Sequence, residues 1–277
     1  MRLISLLTDF GTRDEYVGVV KGVILTRNPN AVVVDISHAL DPQDVPGAAL
    51  MLKAAYPYFP QSTLHVVVVD PGVGSRRAVV ALALEDGPLF LAPDNGVLTF
   101  VLQDPRPKAV VRVENSAFFL APISRTFHGR DIFAPVAAAL AGGAPLERLG
   151  PPVAAGDLVR LELPAARPAG VNALSGAVVA VDRFGNLITN IAAGLLGAAA
   201  HPHLQVEIGG HRIQGMASAY ADAAPRRPVA LIGSRGTLEI AVNCGNAAET
   251  LAVGRGAVVR VTWPAGAVDA PPDAEKH

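Results

Sequence analysis

A carboxylate and a guanidinium lie seven residues apart, just beyond an apolar run. Residues 64–69 contain four consecutive valines, Asp70-Pro71-Gly72 follows them, and Arg77 comes after the glycine-rich turn. Such a run is typical of a strand buried on both faces of a parallel sheet, and Pro71 ends it because proline has no N–H to donate. Asp70 is therefore predicted at the carboxyl end of a central strand, where open α/β sheets bind ligands. The same pair could instead be an ion pair that ties down a loop.

Further polar residues follow other apolar runs in the first 162 residues. Together with Asp70 they form an Asp/His set suited in type to two metal ions: Asp9, His38, Asp94 and His128. Against this interpretation, none of the spacings is a recognised metal-ligand motif, and Arg77 would be unfavourable beside a cation. Each histidine alone is typical of a hydrogen-bonded core or turn residue.

Elements that would position these residues alternate through the same region. Strands are predicted at residues 3–7, 31–36, 64–69, 78–84, 89–92 and 109–113, with a hairpin between the fourth and fifth and with the second buried. Helices are predicted at residues 14–26, 44–56, 97–102 and 132–141, the first capped by Asp14 and the last with Pro135 in its first turn. Strands interleaved with helices favour an α/β domain with a mostly parallel sheet.

The pattern changes after about residue 161. A Pro/Ala-rich segment, residues 163–172, is predicted as a linker between a domain at 1–162 and a smaller domain at 173–264, followed by a flexible tail at 265–277. Short β runs at 175–181, 204–208, 229–232, 237–241 and 258–262 predict an antiparallel β-barrel or sandwich. Two loops here, at 182–186 and 232–236, offer polar side chains on glycine turns. Either loop alone is also typical of a plain hairpin turn.

Composition excludes several classes of protein. Of the 277 residues 51% are hydrophobic and 17% charged, and the formal net charge is −1 without a long basic run, which argues against capture of nucleic acid or a membrane surface. We expect no membrane span and no signal peptide, because polar residues interrupt the N-terminus early. The single cysteine, Cys244, excludes an internal disulfide and fits a cytoplasmic protein.

Six motifs occur in one order along the chain. They are Thr8-Asp9-Phe10-Gly11, Asp70-Pro71-Gly72-Val73-Gly74, Ala92-Pro93-Asp94-Asn95-Gly96, Phe127-His128-Gly129-Arg130-Asp131, Asp182-Arg183-Phe184-Gly185-Asn186 with Thr189-Asn190, and Ser234-Arg235-Gly236. In this order they resemble the S-adenosyl-L-methionine hydroxide adenosyltransferases, relatives of the enzymes that fluorinate or chlorinate the same substrate. The resemblance covers about residues 3–263. It implies an N-terminal α/β domain, a C-terminal β-barrel, and a homotrimer whose active sites lie between the N-terminal domain of one subunit and the C-terminal domain of its neighbour.

The resemblance also assigns residues to roles. It implies a catalytic set of Asp70, Arg77 and His128, with Asp9 on the ribose hydroxyls and Asp14 at another acidic position of the first motif. The groups around the methionine portion are Asp182, Asn186 and Ser234, and those near the adenine are Arg235 and Tyr220. The halogenating relatives carry a tyrosine and a serine where this chain has Asp70 and Gly129.

The expected reaction is hydrolysis of S-adenosyl-L-methionine to adenosine and L-methionine, by attack of water or hydroxide on ribose C5′. No metal and no cofactor is expected. Three other hypotheses remain: a non-catalytic binding protein or sensor for adenosyl compounds, a metal-dependent phosphoesterase built on the Asp/His set, and a halogenase or other transferase.

Overall fold

The computed structural model describes residues 3–85, 87–103, 107–197 and 203–264 of the chain. The chain divides into two compact units, Met1–Glu162 and Leu163–His277, which are described separately below. The tail predicted at 265–277 lies outside the described residues. In the part of the chain that is described, no helix is both long and apolar enough to cross a membrane.

The first unit is built on a six-stranded mixed sheet, as the sequence predicts. Its strands are β1 (Leu3–Thr8), β2 (Val32–Ser37), β3 (Leu64–Val68), β4 (Val79–Leu84), β5 (Leu89–Pro93) and β6 (Pro107–Arg112). Their order across the sheet is β2-β1-β3-β5-β4-β6. The first four strands in that order pair in parallel, whereas β4 pairs antiparallel with both β5 and β6. The valine run therefore does lie in the middle of the sheet, with every residue of β3 buried.

Helices cover both faces of this sheet and bury its alternate side chains. Val66 and Val68 belong to one core, shared with α1 (Tyr16–Arg27) and α3 (Ala134–Ala141). Val67 and Val69 belong to the other, shared with α2 (Val45–Ala55). Successive side chains of a strand point to opposite faces of the sheet. A strand that is covered by helices on both faces must therefore be apolar at every position.

Several local predictions for this unit are wrong. The strand predicted as buried is β2, which pairs only with β1 and leaves Val32 and Val34 exposed as an edge. The N-cap of α1 is Glu15, without a side-chain bond, and Asp14 lies exposed before it. Residues 97–102 form turns and a 3-10 turn, Val101–Gln103, instead of an α-helix. By contrast, α2 and the placement of Pro135 in the first turn of α3 are confirmed.

The second unit is an antiparallel, nearly closed barrel-like sheet, again as predicted. Its strands are β7 (Arg167–Pro168), β8 (Ala173–Val181), β9 (Leu187–Ala192), β10 (Gln205–Ile208), β11 (His211–Gln214), β12 (Pro228–Ile232), β13 (Thr237–Val242) and β14 (Val258–Thr262), with one short helix, α4 (Ala247–Leu251). The order is β11-β10-β14-β8-β9-β13-β12, with β7 paired to β8. The end strands β11 and β12 contact each other. The sequence patterns missed β9 and β11, and β7 lies in the segment predicted as a linker.

Candidate active site

Asp70 and Arg77 form a close ion pair at the carboxyl end of β3. Arg77 Nε donates to Asp70 Oδ1 and Oδ2 at 2.9 and 2.8 Å, and Arg77 Nη2 also donates to Oδ2. Only 5% of the Asp70 side chain and 11% of the Arg77 side chain are exposed. The turn between them requires glycine at one position, since Gly74 has φ +75° and a Cβ there would lie 2.3 Å from the carbonyl oxygen of Arg125. Removal of water from such a pair strengthens the attraction between its charges, at the cost of their desolvation.

His128 completes the set, and its protonation follows from its partner. Arg77 Nη2 lies 2.8 Å from His128 Nδ1. Because a guanidinium can only donate, Nδ1 must be the acceptor, so the ring is neutral and carries its hydrogen on Nε2. Burial, and next the positive charge of Arg77, lower the pKa of His128 below its usual 6.5. The three side chains thus form one chain of contacts, with the arginine in the middle.

A π-helical turn supports this histidine. Residues Gly129–Phe133 form the turn directly after His128, and α3 continues from it. Asp131 is completely buried in the turn, where its Oδ2 accepts from the Ser124 N–H at 2.7 Å and its Oδ1 from Arg130 Nε at 2.6 Å. Burial alone would raise the pKa of Asp131, but these hydrogen bonds hold it below its usual value of 3.8. The sequence motif contains Asp131, yet only the structure shows that it anchors the segment before His128.

A cavity of about 280 Å³ lies against this set. Asp70 and His128 line it, together with Asp9 from the end of β1. Arg77 is not among the lining residues, so it holds the other two from behind. The cavity is also lined by Phe10, Pro42, Gln43, Val68, Pro71, Val73, Thr126, Phe127 and Gly129.

Asp9 is held by the loop between β2 and α2. Its Oδ2 accepts from the Gln43 N–H at 2.7 Å. Gln43 has φ +67°, a conformation that is uncommon for a residue with a side chain and that collects at ligand sites. Sequence reasoning did not single out Gln43, because neither its strained backbone nor its place in the cavity wall has a local sequence signal.

Gly129 keeps the cavity wall clear beside two aromatic rings. The ring of Phe127 packs edge-on against those of Phe10 and Tyr16, with centroids 6.0 and 5.1 Å away. A Cβ at Gly129 would lie 3.3 Å from both Phe10 Cζ and Phe127 Cε2. A serine at this position would therefore need these rings to shift by a few tenths of an ångström.

The remaining residues of the Asp/His set do not join the Asp70 cluster. His38 is buried and bonds Thr8, and Asp94 accepts from the Val159 N–H. Within the described residues, no three His, Cys, Asp or Glu side chains converge in a way that could hold a metal ion. The arrangement that the two-metal hypothesis requires is therefore not formed there. Asp14, the other predicted binding residue of this unit, lies on the exposed segment before α1.

In the second unit, Asp182 organises the turn between β8 and β9. Its Oδ1 accepts from the N–H groups of Phe184 and Asn186, both at 2.9 Å, and its Oδ2 accepts from Asn186 Nδ2 at 3.0 Å. Gly185 in this turn has φ +84°, and a Cβ there would lie 2.0 Å from Asn246 Oδ1. The structure thus brings together two of the predicted binding residues, Asp182 and Asn186.

A buried carboxylate that the sequence analysis missed bonds another predicted binding residue, Tyr220. Glu239 on β13 is only 5% exposed, and its Oε1 accepts from the Tyr220 hydroxyl at 2.6 Å. That bond, and then burial, raise the pKa of Tyr220 to about 12, with Asp182 contributing a smaller repulsion. A Cβ on Gly233 would lie 2.2 Å from Glu239 Oε2, so the turn that carries Ser234 and Arg235 packs directly on this carboxylate. Ser234 and Arg235 themselves are exposed.

Two family models match the chain, one in each part. The model of the SAM hydroxide adenosyltransferase N-terminal domain matches residues 4–150, and that of the C-terminal domain matches residues 176–260. The chain belongs to the SAM hydroxide adenosyltransferase family. All ten residues to which the resemblance assigned a role lie within these two matches.

Relatives within the family cover nearly the whole chain. A protein of Thermus thermophilus named (R)-S-adenosyl-L-methionine hydrolase is 42% identical, over 94% of this chain and 100% of its own. A crystal structure of an uncharacterized conserved protein from Thermotoga maritima superposes with a TM-score of 0.86 at 38% identity, over 94% of this chain and 99% of that one. A fluorinase of an Actinoplanes species is more distant, at 28% identity over 94% of this chain and 97% of its own. The Thermus thermophilus relative is thus nearer to this chain than this fluorinase is.

Proposed function

We propose that this protein hydrolyses S-adenosyl-L-methionine to adenosine and L-methionine. The observation that carries the proposal is the chain of contacts from Asp70 through Arg77 to His128, whose two ends line one cavity with Asp9. The relatives named (R)-S-adenosyl-L-methionine hydrolase support the substrate and the reaction. Because that name specifies a configuration at sulfur, we propose the (R) epimer as the substrate.

The reaction is an in-line displacement at the ribose C5′. The oxygen of water forms a bond to C5′ as the C5′–S bond breaks, and the electron pair of that bond stays on sulfur, which leaves as neutral methionine. Water loses one proton, so adenosine, methionine and one proton are the products. A cationic electrophile that meets an anionic or polarised oxygen loses charge in the transition state, and a dry cavity favours such a step.

Positioning is the first contribution of the site. Aligned reactants can lower a barrier by roughly 7–11 kcal/mol in favourable cases. The Asp70 carboxylate is fixed by hydrogen bonds from Arg77 to both of its oxygens, and it still has lone pairs to orient a water. Arg77 cannot serve as a base, because a guanidinium stays protonated.

In the observed arrangement, Asp70 is the group that can accept the proton of the attacking water. His128 Nδ1 is occupied by Arg77, and Nε2 carries the ring hydrogen. In this tautomer His128 can donate to the attacking oxygen but has no free lone pair. We therefore assign Asp70 as the acceptor of the water proton and His128 as the group that fixes the oxygen from the other side.

Substrate binding is divided between the two units in this proposal. The Asp9 carboxylate suits the ribose, because one carboxylate can accept from two neighbouring hydroxyls and Gln43 takes only part of its capacity. We assign Asp182, Asn186 and Ser234 to the methionine portion. Arg235 and Tyr220 are assigned to the adenine, and Asp14 to a supporting place near the first motif.

The finer features rest on the family resemblance and on composition. We propose a homotrimer, with each active site formed by the N-terminal domain of one subunit and the C-terminal domain of its neighbour. We also propose that the reaction needs no metal or cofactor, and that the protein is cytoplasmic, which its single cysteine fits. Light scattering measures the molar mass of the protein in solution and would give the oligomeric state directly.

The test is product analysis in oxygen-18 water. Purified protein is incubated with the (R) and (S) epimers of S-adenosyl-L-methionine, with a chelator present, and the products are analysed by mass spectrometry. Adenosine labelled at the 5′ oxygen and an equal amount of methionine, from the (R) epimer, would support metal-free attack by water on carbon. Binding without turnover would instead favour a sensor, and loss of activity with chelator would contradict the metal-free mechanism.

Halide provides the second arm of that experiment. A halide beside the Asp70 carboxylate would be repelled by about 1–4 kcal/mol at contact range, depending on local screening. We expect no 5′-halo-adenosine product in excess fluoride or chloride. Its formation would place this chain with the halogenating relatives.

A further inference from the structure

His38 is a buried titratable side chain that the proposed reaction does not use. It lies 6% exposed in the loop after β2. Its Nδ1 is 2.8 Å from Thr8 Oγ1, and its Nε2 is 3.1 Å from Asp35 Oδ1. Thr8 is completely buried and is the last residue of β1, so Asp9 follows it directly. His38 therefore joins the ends of two neighbouring parallel strands next to a residue of the cavity wall.

The hydrogens of this contact can be assigned from its neighbours. The Phe10 N–H donates to Thr8 Oγ1 at 3.3 Å, and the Asp35 carboxylate beside His38 Nε2 favours the ring hydrogen on that nitrogen, so Nδ1 accepts from the threonine hydroxyl. The ring then carries its own hydrogen on Nε2, which faces Asp35 without the alignment of a hydrogen bond. Of the two ring contacts described, the one to Thr8 therefore has the geometry of a hydrogen bond. Thr8 Oγ1 in turn accepts from the Phe10 N–H, which links the ring to the backbone of Phe10.

Two loops of the cavity wall are joined at this place. The Gly11 N–H donates to the His38 carbonyl at 2.8 Å, and the Gln43 N–H donates to Asp9 Oδ2 at 2.7 Å. Asp9 and Phe10 line the cavity from one loop, and Pro42 and Gln43 line it from the other. The His38–Thr8 contact is the buried side-chain contact between the bases of these loops.

We propose that His38 is a positioning residue, which fixes Thr8 and through it the peptide from Asp9 to Phe10. The Asp9 carboxylate is then held at the place where the ribose binds, so that little ordering remains to be done when the ligand arrives. This rests on the proposed function for the identity of the ligand. The ordering of the loop does not depend on it.

The same strand provides a matched control. Ser5 Oγ lies 2.7 Å from Nδ1 of His65, both residues are fully buried, and Ser5 precedes Thr8 by three positions on β1. The His65 ring stacks on Phe90 with centroids 5.0 Å apart, and neither Ser5 nor His65 lines the cavity. This pair has the chemistry of the Thr8–His38 pair but lies away from the Asp9 loop.

The test compares Thr8→Val, Thr8→Ser and Ser5→Ala. Valine keeps the shape of threonine and removes the hydroxyl, whereas serine keeps the hydroxyl. We expect Thr8→Val to raise the KM for S-adenosyl-L-methionine and the inhibition constant of adenosine about tenfold, with little change in kcat or in inhibition by methionine. Thr8→Ser should restore most of the affinity, and Ser5→Ala should change thermal stability without changing either constant.

Hydrogen exchange of the wild-type protein and the same variants gives a readout that needs no turnover. Thr8→Val, and His38→Phe as a second variant, should speed exchange in peptides covering residues 8–16 and 38–44, and Ser5→Ala should not. The proposal is wrong if exchange in those peptides is unchanged in Thr8→Val, or if Ser5→Ala has the same effect. Because exchange is measured without substrate, a failure of the proposed function would show instead as a wild-type protein that produces no adenosine.

Discussion

Two buried carboxylates, one in each unit, are held by very different partners. Asp70 has its side chain 5% exposed and is bound by the permanent cation of Arg77. Glu239 is also 5% exposed, but its hydrogen-bond partner is the neutral hydroxyl of Tyr220. A cation compensates the charge of a buried carboxylate, whereas a hydroxyl only satisfies one of its lone pairs. The two carboxylates are therefore buried to a similar extent, but Asp70 is bonded by a cation and Glu239 by a neutral group.

In the function proposed above, this difference separates the group that accepts a proton from the side chains that recognise the ligand. Asp70 is linked through Arg77 to a neutral histidine and lines a cavity, so its surroundings favour an acceptor beside the reacting oxygen. Glu239 instead lies under the Gly233 turn and bonds the Tyr220 hydroxyl, and this bond and burial raise the pKa of Tyr220 to about 12. We therefore expect substitutions of Asp70 and the side chains bonded to it to change kcat, and substitutions around Glu239 to change KM.

The largest effect is expected for Asp70→Asn. The amide keeps the shape but cannot accept a proton, so kcat should fall by about 10²–10⁴-fold, with KM changed much less. Steady-state kinetics measure this, and the control is Asp182→Asn, which alters a carboxylate that we assign to substrate binding in the second unit and should mainly raise KM. Circular dichroism must show that Asp70→Asn is folded, because Arg77 loses its charged partner. A folded variant with kcat within threefold of wild type would contradict the comparison.

Arg77→Lys should have the next largest effect. Lysine keeps the positive charge but cannot donate from a planar fork to Asp70 and His128 together. Displacement of the reacting groups by about 1 Å can cost on the order of 10²-fold in rate, and we expect a loss of kcat of that size. Arg130→Lys is a control, because Arg130 lies in the π-helical turn after His128 and outside the cavity wall. Equal losses in the two variants would show that the effect is not specific to the Asp70 contact.

The pH dependence of kcat/KM should report His128. Protonation would place a hydrogen on Nδ1 against the Arg77 guanidinium, so activity should fall as pH falls through a value below the usual 6.5. Because the folded-state pKa is lowered, His128 also contributes stability that is present above 6.5 and is lost as pH falls through the lower folded-state value. His128→Asn should remove this acid limb of the rate profile. A limb that persists at the same pH in His128→Asn would assign it to another group.

Sequence patterns were sufficient for the central strand and for both sheet types. The valine run before Asp70 predicts β3 because a strand covered on both faces needs apolar residues at every position. The same rule fails for β2, whose apolar residues lie on an edge, since the pattern does not say which strand has only one neighbour. Asp14 before α1 has the chemistry of a cap, but the helix begins too late to use it.

The candidate site was predictable where its residues stand in motifs, and not where it depends on distant contacts. Asp70 and Arg77 are close in sequence, whereas Arg77 and His128 are 51 positions apart and meet only in the fold. Gln43 lines the cavity through a left-handed backbone that no composition signals. Glu239 looks like a surface residue of an alternating strand, and only the packing of Gly233 and Tyr220 shows that it is buried.

The smallest effect is expected for Tyr220→Phe, which tests the second half of the comparison. The variant removes the hydroxyl that bonds Glu239 and leaves the ring in place. A lost hydrogen bond of this type is worth about 1 kcal/mol net, which corresponds to a KM about fivefold higher, and kcat should not change. Glu239→Gln can still accept from Tyr220, so it should be milder than Glu239→Ala, and the double variant Tyr220→Phe/Glu239→Ala should be no worse than Glu239→Ala alone. If kcat falls in Tyr220→Phe while KM stays constant, the second unit takes part in the chemical step, and the division between proton transfer and recognition is wrong.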